Sequence, residues 1–194
     1  MLIEKFATRL LQRALPERLA YHNYRHTVEV VAAAAEIGRQ SQLAEDEIEL
    51  VQIAAWLHDL GHIRSYTDHE TESQALALEL LCMAGMPEIE TLLIIGCIGA
   101  TRMPQTPRNR LEAVLCAADL AHLAKPCFIE KSELLREEWE NILGRSYTDE
   151  AWMEQNLDFI TCHRYHTPYG KTVLRQLKAQ NVCRLMAFVY AAAA

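Results

Sequence analysis

The stretch "IAAWLHDLGHI", Ile53 to Ile63, is apolar enough for a buried helix, yet it carries His58 and Asp59, and His62 follows Gly61. An ionised carboxylate taken out of water is costly unless a counter-charge, a set of hydrogen bonds or a metal compensates it. No basic residue follows Asp59 until Arg64. The stretch therefore asks for a cation, and the rest of the chain can be read for the groups that would hold one.

Asp119 poses the same problem inside "LEAVLCAADLAHLA", a run rich in Ala and Leu that reads as a helix buried on most faces. Upstream, "YHNYRHTVEVVAAAAEIG" places His22 and His26 at the start of another apolar helix, and residues four apart share a helical face. The ordered set His26, His58, Asp59, Asp119 mixes imidazole nitrogen with carboxylate oxygen. Such donors suit Mn, Fe, Co, Ni, Zn or Mg, and the lack of thiolates argues against a structural zinc. Adjacent helical residues point about 100° apart, so His58 and Asp59 can share an ion that sits at a helix end. Four protein ligands leave open positions on an octahedral ion, which hydrolysis needs. A lone helical histidine more often packs in a core or on a surface, and His22, His122 and His163 are read that way.

The 194 residues suffice for one well-buried domain, taken as 1–194. Hydrophobic residues make up 51% and charged residues 23%, with few Gly and Pro, as in a helix-rich globular protein. The net charge of -7 argues against a nucleic-acid polymer as partner, although a few local arginines can still hold a single nucleotide. The six cysteines show no CxxC spacing, and most are expected to be reduced core residues. The first 20 residues mix charges into apolar positions, unlike a signal peptide or membrane span, so a cytoplasmic location is expected. "IETLLIIGCIGA" is too short to span a bilayer and is expected to be a buried helix. The oligomeric state is left open.

Periodicity is helical almost throughout, and no stretch alternates long enough to compete as a strand. It predicts helices over 2–14, 24–40, 45–60, 69–85, 87–100, 109–124, 130–143, 148–164 and 170–192, stopped by Gly38, Gly61, Gly85, Pro104, Pro107, Pro126, Gly144 and the "TPYG" turn. The fold class is all-α, with the metal site between core helices.

These residues in this order resemble the HD superfamily of metal-dependent phosphohydrolases. The likeness runs through "YHNYRHT" (Tyr21–Thr27), "AAWLHDLGH" (Ala54–His62), "HETES" (His69–Ser73), "GATR" (Gly99–Arg102) and "AADLAHL" (Ala117–Leu123), with a further familiar block at "RYHTPYG". The resemblance implies that His26, His58, Asp59 and Asp119 bind one divalent metal. It places His62 where some nucleotide-cleaving relatives carry a catalytic glutamate, so His62, with Asp59, is the expected catalytic pair; an imidazole near neutral pKa suits proton transfer. Binuclear relatives start the next helix with a histidine followed by a small residue, here His69 and Ser73, but they also need late histidines where this chain reads "IGATRMP". One firmly held ion is therefore expected, with His69 and Glu70 as supporting groups or weak ligands of a second. Arg25, Arg64 and Arg102 are the expected phosphate binders.

The resemblance implies hydrolysis of a small phosphorylated molecule, a phosphomonoester or a nucleotide. Two alternatives stand beside it. One is a diiron oxygenase, since some HD-fold oxygenases share "HDLGH"; the other is a regulatory module without catalysis. Guanosine-tetraphosphate hydrolysis is disfavoured because the acidic pair of that branch is replaced by "LGHI".

Overall fold

The computed structural model describes residues 2–192 and is all-helical over them. In chain order the helices are α1 (Leu2–Arg13), α2 (Tyr24–Gln40), α3 (Glu45–Leu57), α4 (His69–Met83), α5 (Glu88–Ala100), α6 (Arg110–Asp119), α7 (Phe128–Leu143), α8 (Asp149–Cys162) and α9 (Arg175–Ala192). Short 3-10 turns follow α3 at Leu60–Ile63 and α6 at Ala121–Ala124, and a π-helical turn at Gly170–Leu174 leads into α9.

The main core is built where α2, α3, α5 and α6 pack on one another. Small residues make this close approach achievable: Ala33 to Ala35 on α2, Ala54 and Ala55 on α3, and Ala117 and Ala118 on α6 are buried among Val51, Leu57, Ile94, Ile98 and Leu115. A smaller core of Leu120, Leu123, Phe128, Ile160 and Leu185 ties α7, α8 and α9 to the end of α6. The cavity of the candidate site is lined from the ends of α3 and α6 and from α4, α7 and α8.

Several expectations meet a different structure. The helix predicted over 45–60 stops at Leu57, and the one over 109–124 stops at Asp119. In both cases a 3-10 turn continues the chain, and its spacing keeps the apolar pattern going past the true helix end. The run around α5 is buried on one face only, through Thr91, Ile94, Cys97 and Ile98, while Ile89 and Leu92 are exposed. The cysteines are all free, but only Cys97 and Cys116 belong to the core; Cys82, Cys162 and Cys183 are exposed because they fall on the outer faces of their helices. Among the described residues, no helix is long and apolar enough to cross a membrane.

Candidate metal centre and active-site cavity

His26 enters from the first turn of α2, where Asn23 caps the helix by accepting from the backbone N–H groups of Arg25 and His26. His58 and Asp59 sit just past the end of α3, where the chain leaves the helix and the two side chains converge on one point. Asp119 is the last residue of α6. Three helix ends thus bring the four groups together: Asp59 Oδ2 lies 3.5 Å from His26 Nε2 and 3.3 Å from His58 Nε2, and Asp119 Oδ1 lies 3.4 and 3.7 Å from the same nitrogens.

Ligand atoms about 2 Å from a common ion stand roughly 3 to 4 Å from one another, and these distances match. His26 Nε2, His58 Nε2 and Asp59 Oδ2 are also buried without any hydrogen-bond partner. Buried polar atoms are seldom left so, and a divalent cation would satisfy all three at once. The orientation of one ring is fixed as well, because His58 Nδ1 lies 2.8 Å from the carbonyl of Ala55 and so determines which nitrogen faces the cluster. Burial disfavours charge throughout, yet Asp59 and Asp119 raise the His58 ring well above its usual pKa, and the imidazoles hold both carboxylates below theirs. The cluster is built around positive charge.

Asp59 also faces a second group. Its Oδ1 lies 4.0 Å from His62 Nε2 and 3.7 Å from His69 Nε2, the two rings stack at 4.0 Å, and His22 comes within ligand distance of Asp59 and His62. Gly61 makes this convergence feasible: a Cβ there would stand 1.9 Å from the carbonyl oxygen of His69, and its N–H donates to Ser73 Oγ. With no side chain, the turn after Asp59 lies directly on the first turn of α4 and delivers His69. Both nitrogens of His62 are buried and unpartnered. Burial, then the neighbouring His22, pushes its pKa down to about 2, so the ring stays neutral.

Sequence alone assigns His22 and His122 to packing, but both line the cavity. The larger omission is Glu138 on α7, whose carboxylate is fully buried. One oxygen accepts from the backbone N–H groups of Tyr21 and His22, and the other meets His22 Nδ1 at 2.5 Å and the Tyr66 hydroxyl at 2.7 Å. Burial, the largest influence, lowers the His22 pKa, but the bond to Glu138 and the charges of Asp59, Glu138 and Asp119 together outweigh it and the net shift is upward. No sequence signal marks Glu138, because the buried face of α7, made of Phe128, Lys131, Ser132 and Glu138, is itself mostly polar.

The cavity above these groups measures about 410 Å³. His22, Asp59, His62, His69, Asp119 and His122 form its floor, and Met103, Leu135, Trp139, Trp152 and Phe159 its wall. Gln155 and Asn156 add amides on α8, and Glu70 lines the opposite side. None of the lining residues is Lys or Arg. The three arginines expected to bind phosphate lie outside, held by carboxylates of their own: Arg25 is largely exposed and pairs with Glu29, Arg64 pairs with Glu72, and Arg102 bonds Asp68 at 2.7 Å and approaches Glu70 at 3.7 Å.

No curated protein and no solved structure matches the chain. A family model does: the HD domain matches residues 23–119, a segment that holds His26, His58, Asp59 and Asp119 and ends on the last of them. Half the chain is covered, and within that half the structure gathers a histidine and aspartate cluster suited to a divalent metal, so the protein belongs to the HD domain family, whose general activity is metal-dependent phosphohydrolysis.

Proposed function

We propose that the protein is a metal-dependent phosphohydrolase acting on an organic phosphomonoester or a nucleotide, with one ion held firmly by His26, His58, Asp59 and Asp119. The observation that carries this reading is the set of unpartnered buried ligand atoms beside a cavity large enough for a small organic molecule. A divalent ion there supplies Lewis-acid polarisation of the phosphoryl group and acidifies water.

The chain's own residues supply the rest. His22, fixed by Glu138, is placed to give a proton to the leaving oxygen and recover it afterwards. Sequence alone gives His62 either that role or the orienting of the attacking water; as a neutral, unpartnered imidazole over Asp59, it suits the second, or lends a nitrogen to a weaker second ion. Trp139, Phe159 and Met103 exclude bulk water and offer faces for an aromatic or apolar substituent, while the unbonded amide of Gln155 can read its polar edge. With no Lys or Arg in the lining, a bound ion would offset the charge of one phosphoryl group, and a triphosphate tail would be left short of counter-charge.

A panel of nucleoside mono- and triphosphates, phenyl phosphates and sugar phosphates, each assayed with Mn, Fe, Co, Ni, Zn and Mg, tests this. Metal-dependent release of inorganic phosphate is expected, with aromatic monoesters ahead of triphosphates and sugar phosphates. A protein that keeps its ion and cleaves none of them would overturn the reading. The second imidazole group, His22, His62 and His69 around Asp59, is the one observation that favours the diiron oxygenase instead. Anaerobic iron loading followed by EPR separates the two, since only a mixed-valent pair gives a coupled-spin signal.

A further inference from the structure

The "RYHTPYG" segment, Arg164–Gly170, takes no part in the cavity over the metal group. It borders a second space, a groove of about 920 Å³ between the end of α8, this segment and α9. Arg164, Lys171, Arg175 and Lys178 line it together with His163 and His166, and no carboxylate does. On a chain of net charge -7 this is a concentrated reversal of sign.

The charges are not compensated locally. Arg164 donates to the carbonyls of Thr161, Cys162 and His163, and Lys178 Nζ donates to those of Ile160 and His163 at 2.8 and 2.7 Å. Carbonyls satisfy the hydrogen-bonding of a cation but leave its charge. Lys178 is 6% exposed, and burial, then Arg164 and Arg175, lowers its pKa to about 8. An independent observation is His163: it lines the groove, is 8% exposed, and has both ring nitrogens unpartnered. Tyr165 and Val182 supply apolar surface beside these groups.

We propose that this groove is a second binding site, for a small organic phosphate, in which Arg164, Lys171, Arg175 and the ring of His163 take the phosphoryl oxygens and the apolar body lies along Tyr165 and Val182. The ligand answers two deficits together, an excess of positive charge and a buried imidazole without a partner. The cavity over the histidine and aspartate cluster is lined by carboxylates and by no Lys or Arg, whereas the groove is lined by Lys and Arg and by no carboxylate. The site is therefore independent of the proposed hydrolysis, and it stands or falls without it.

The test is amide NMR of the full chain loaded with Zn²⁺, titrated with inorganic phosphate, with phenyl phosphate and with sodium chloride at matched ionic strength. Both phosphates are expected to shift the amides of Tyr165, His166 and Lys171 to Arg175 saturably, with phenyl phosphate binding about fivefold tighter because its ring is buried. In the double variant Lys171→Glu, Arg175→Glu, whose altered residues are exposed, that response should weaken by about tenfold or more while shifts around Asp59 persist. Groove amides that respond no more to phosphate than to chloride would overturn the proposal, as would unchanged affinity in the double variant or phenyl phosphate binding no tighter than inorganic phosphate. Binding of an oligonucleotide without a response to either small phosphate would also overturn it, in favour of a polymer.

Discussion

Asp59 presents its two carboxylate oxygens to different partners, Oδ2 to His26 and His58 and Oδ1 to His62 and His69. Its removal should therefore be felt differently from removal of the proton-handling pair. In Asp59→Ala, metal content by elemental analysis is expected to fall below about a tenth of wild type, with lower thermal stability, because the buried imidazoles lose the cation they are arranged around. In His22→Gln, metal content should stay near one ion per chain while kcat on the active phosphoester drops by about 10²- to 10⁴-fold, the range for a positioned acid or base. Full metal occupancy in Asp59→Ala would remove that residue from the centre, and unchanged turnover in His22→Gln would return His22 to packing. His26, His58, Asp59 and Asp119 were legible in the sequence because each interrupts or borders an apolar run. His22 sits in the polar segment "YHNYRH" and Glu138 in the charged run "LLREEWENIL", so nothing in composition separates either from its neighbours. Only the bonding of α7 to the segment that leads into α2 shows that this glutamate is sealed inside.

Helix ends do most of the positioning. Asn23 opens α2 beside His26, α3 stops before His58, and α6 stops on Asp119. The number and order of the helices were readable from periodicity, but the two stops that matter most were not, because a 3-10 turn repeats apolar residues at nearly the helical spacing. Gly61 marks the first of these stops and sets how closely α4 can approach it. Gly61→Ala is expected to destabilise the protein by about 3 kcal/mol, since the new methyl would meet backbone of His69 and Ser73 rather than a side chain able to turn away. Urea unfolding monitored by circular dichroism measures this; a change under about 0.5 kcal/mol, the scale of an ordinary surface substitution, would show that the turn and α4 separate easily. His69 should also move away from Asp59, leaving the four-ligand group intact.

Over the whole molecule, charge is sorted by region, with carboxylates and histidines but no Lys or Arg around the cavity, and Lys and Arg along the groove by α9. That sorting predicts a pH response of folding. Burial, followed by the charges of Lys178, His166, His122 and Arg164, lowers His163 to about 3. Its folded pKa thus lies below the unfolded value near 6.5, so the unfolded chain binds the extra proton between these limits. The stability due to the neutral ring is present above about pH 6.5 and is lost as pH falls toward 3, on the order of 1 kcal/mol per pH unit. Replacing His163 by Phe should flatten the decline in urea-unfolding free energy between pH 6.5 and about 4; parallel curves for the two proteins would show that His163 protonates equally in both states. The all-helical architecture was readable from the sequence, but the meeting of distant segments was not, since no local pattern records that Glu138 returns to His22. That long-range contact has a consequence for synthesis. All four residues proposed to hold the metal have been translated once residue 119 is added, whereas Glu138, Trp139, Trp152 and Phe159 come later in the chain. The proposed ligands therefore leave the ribosome ahead of both the partner of His22 and the wall of the cavity, so an ion taken up at that stage would stand in open contact with water until α7 and α8 close over it.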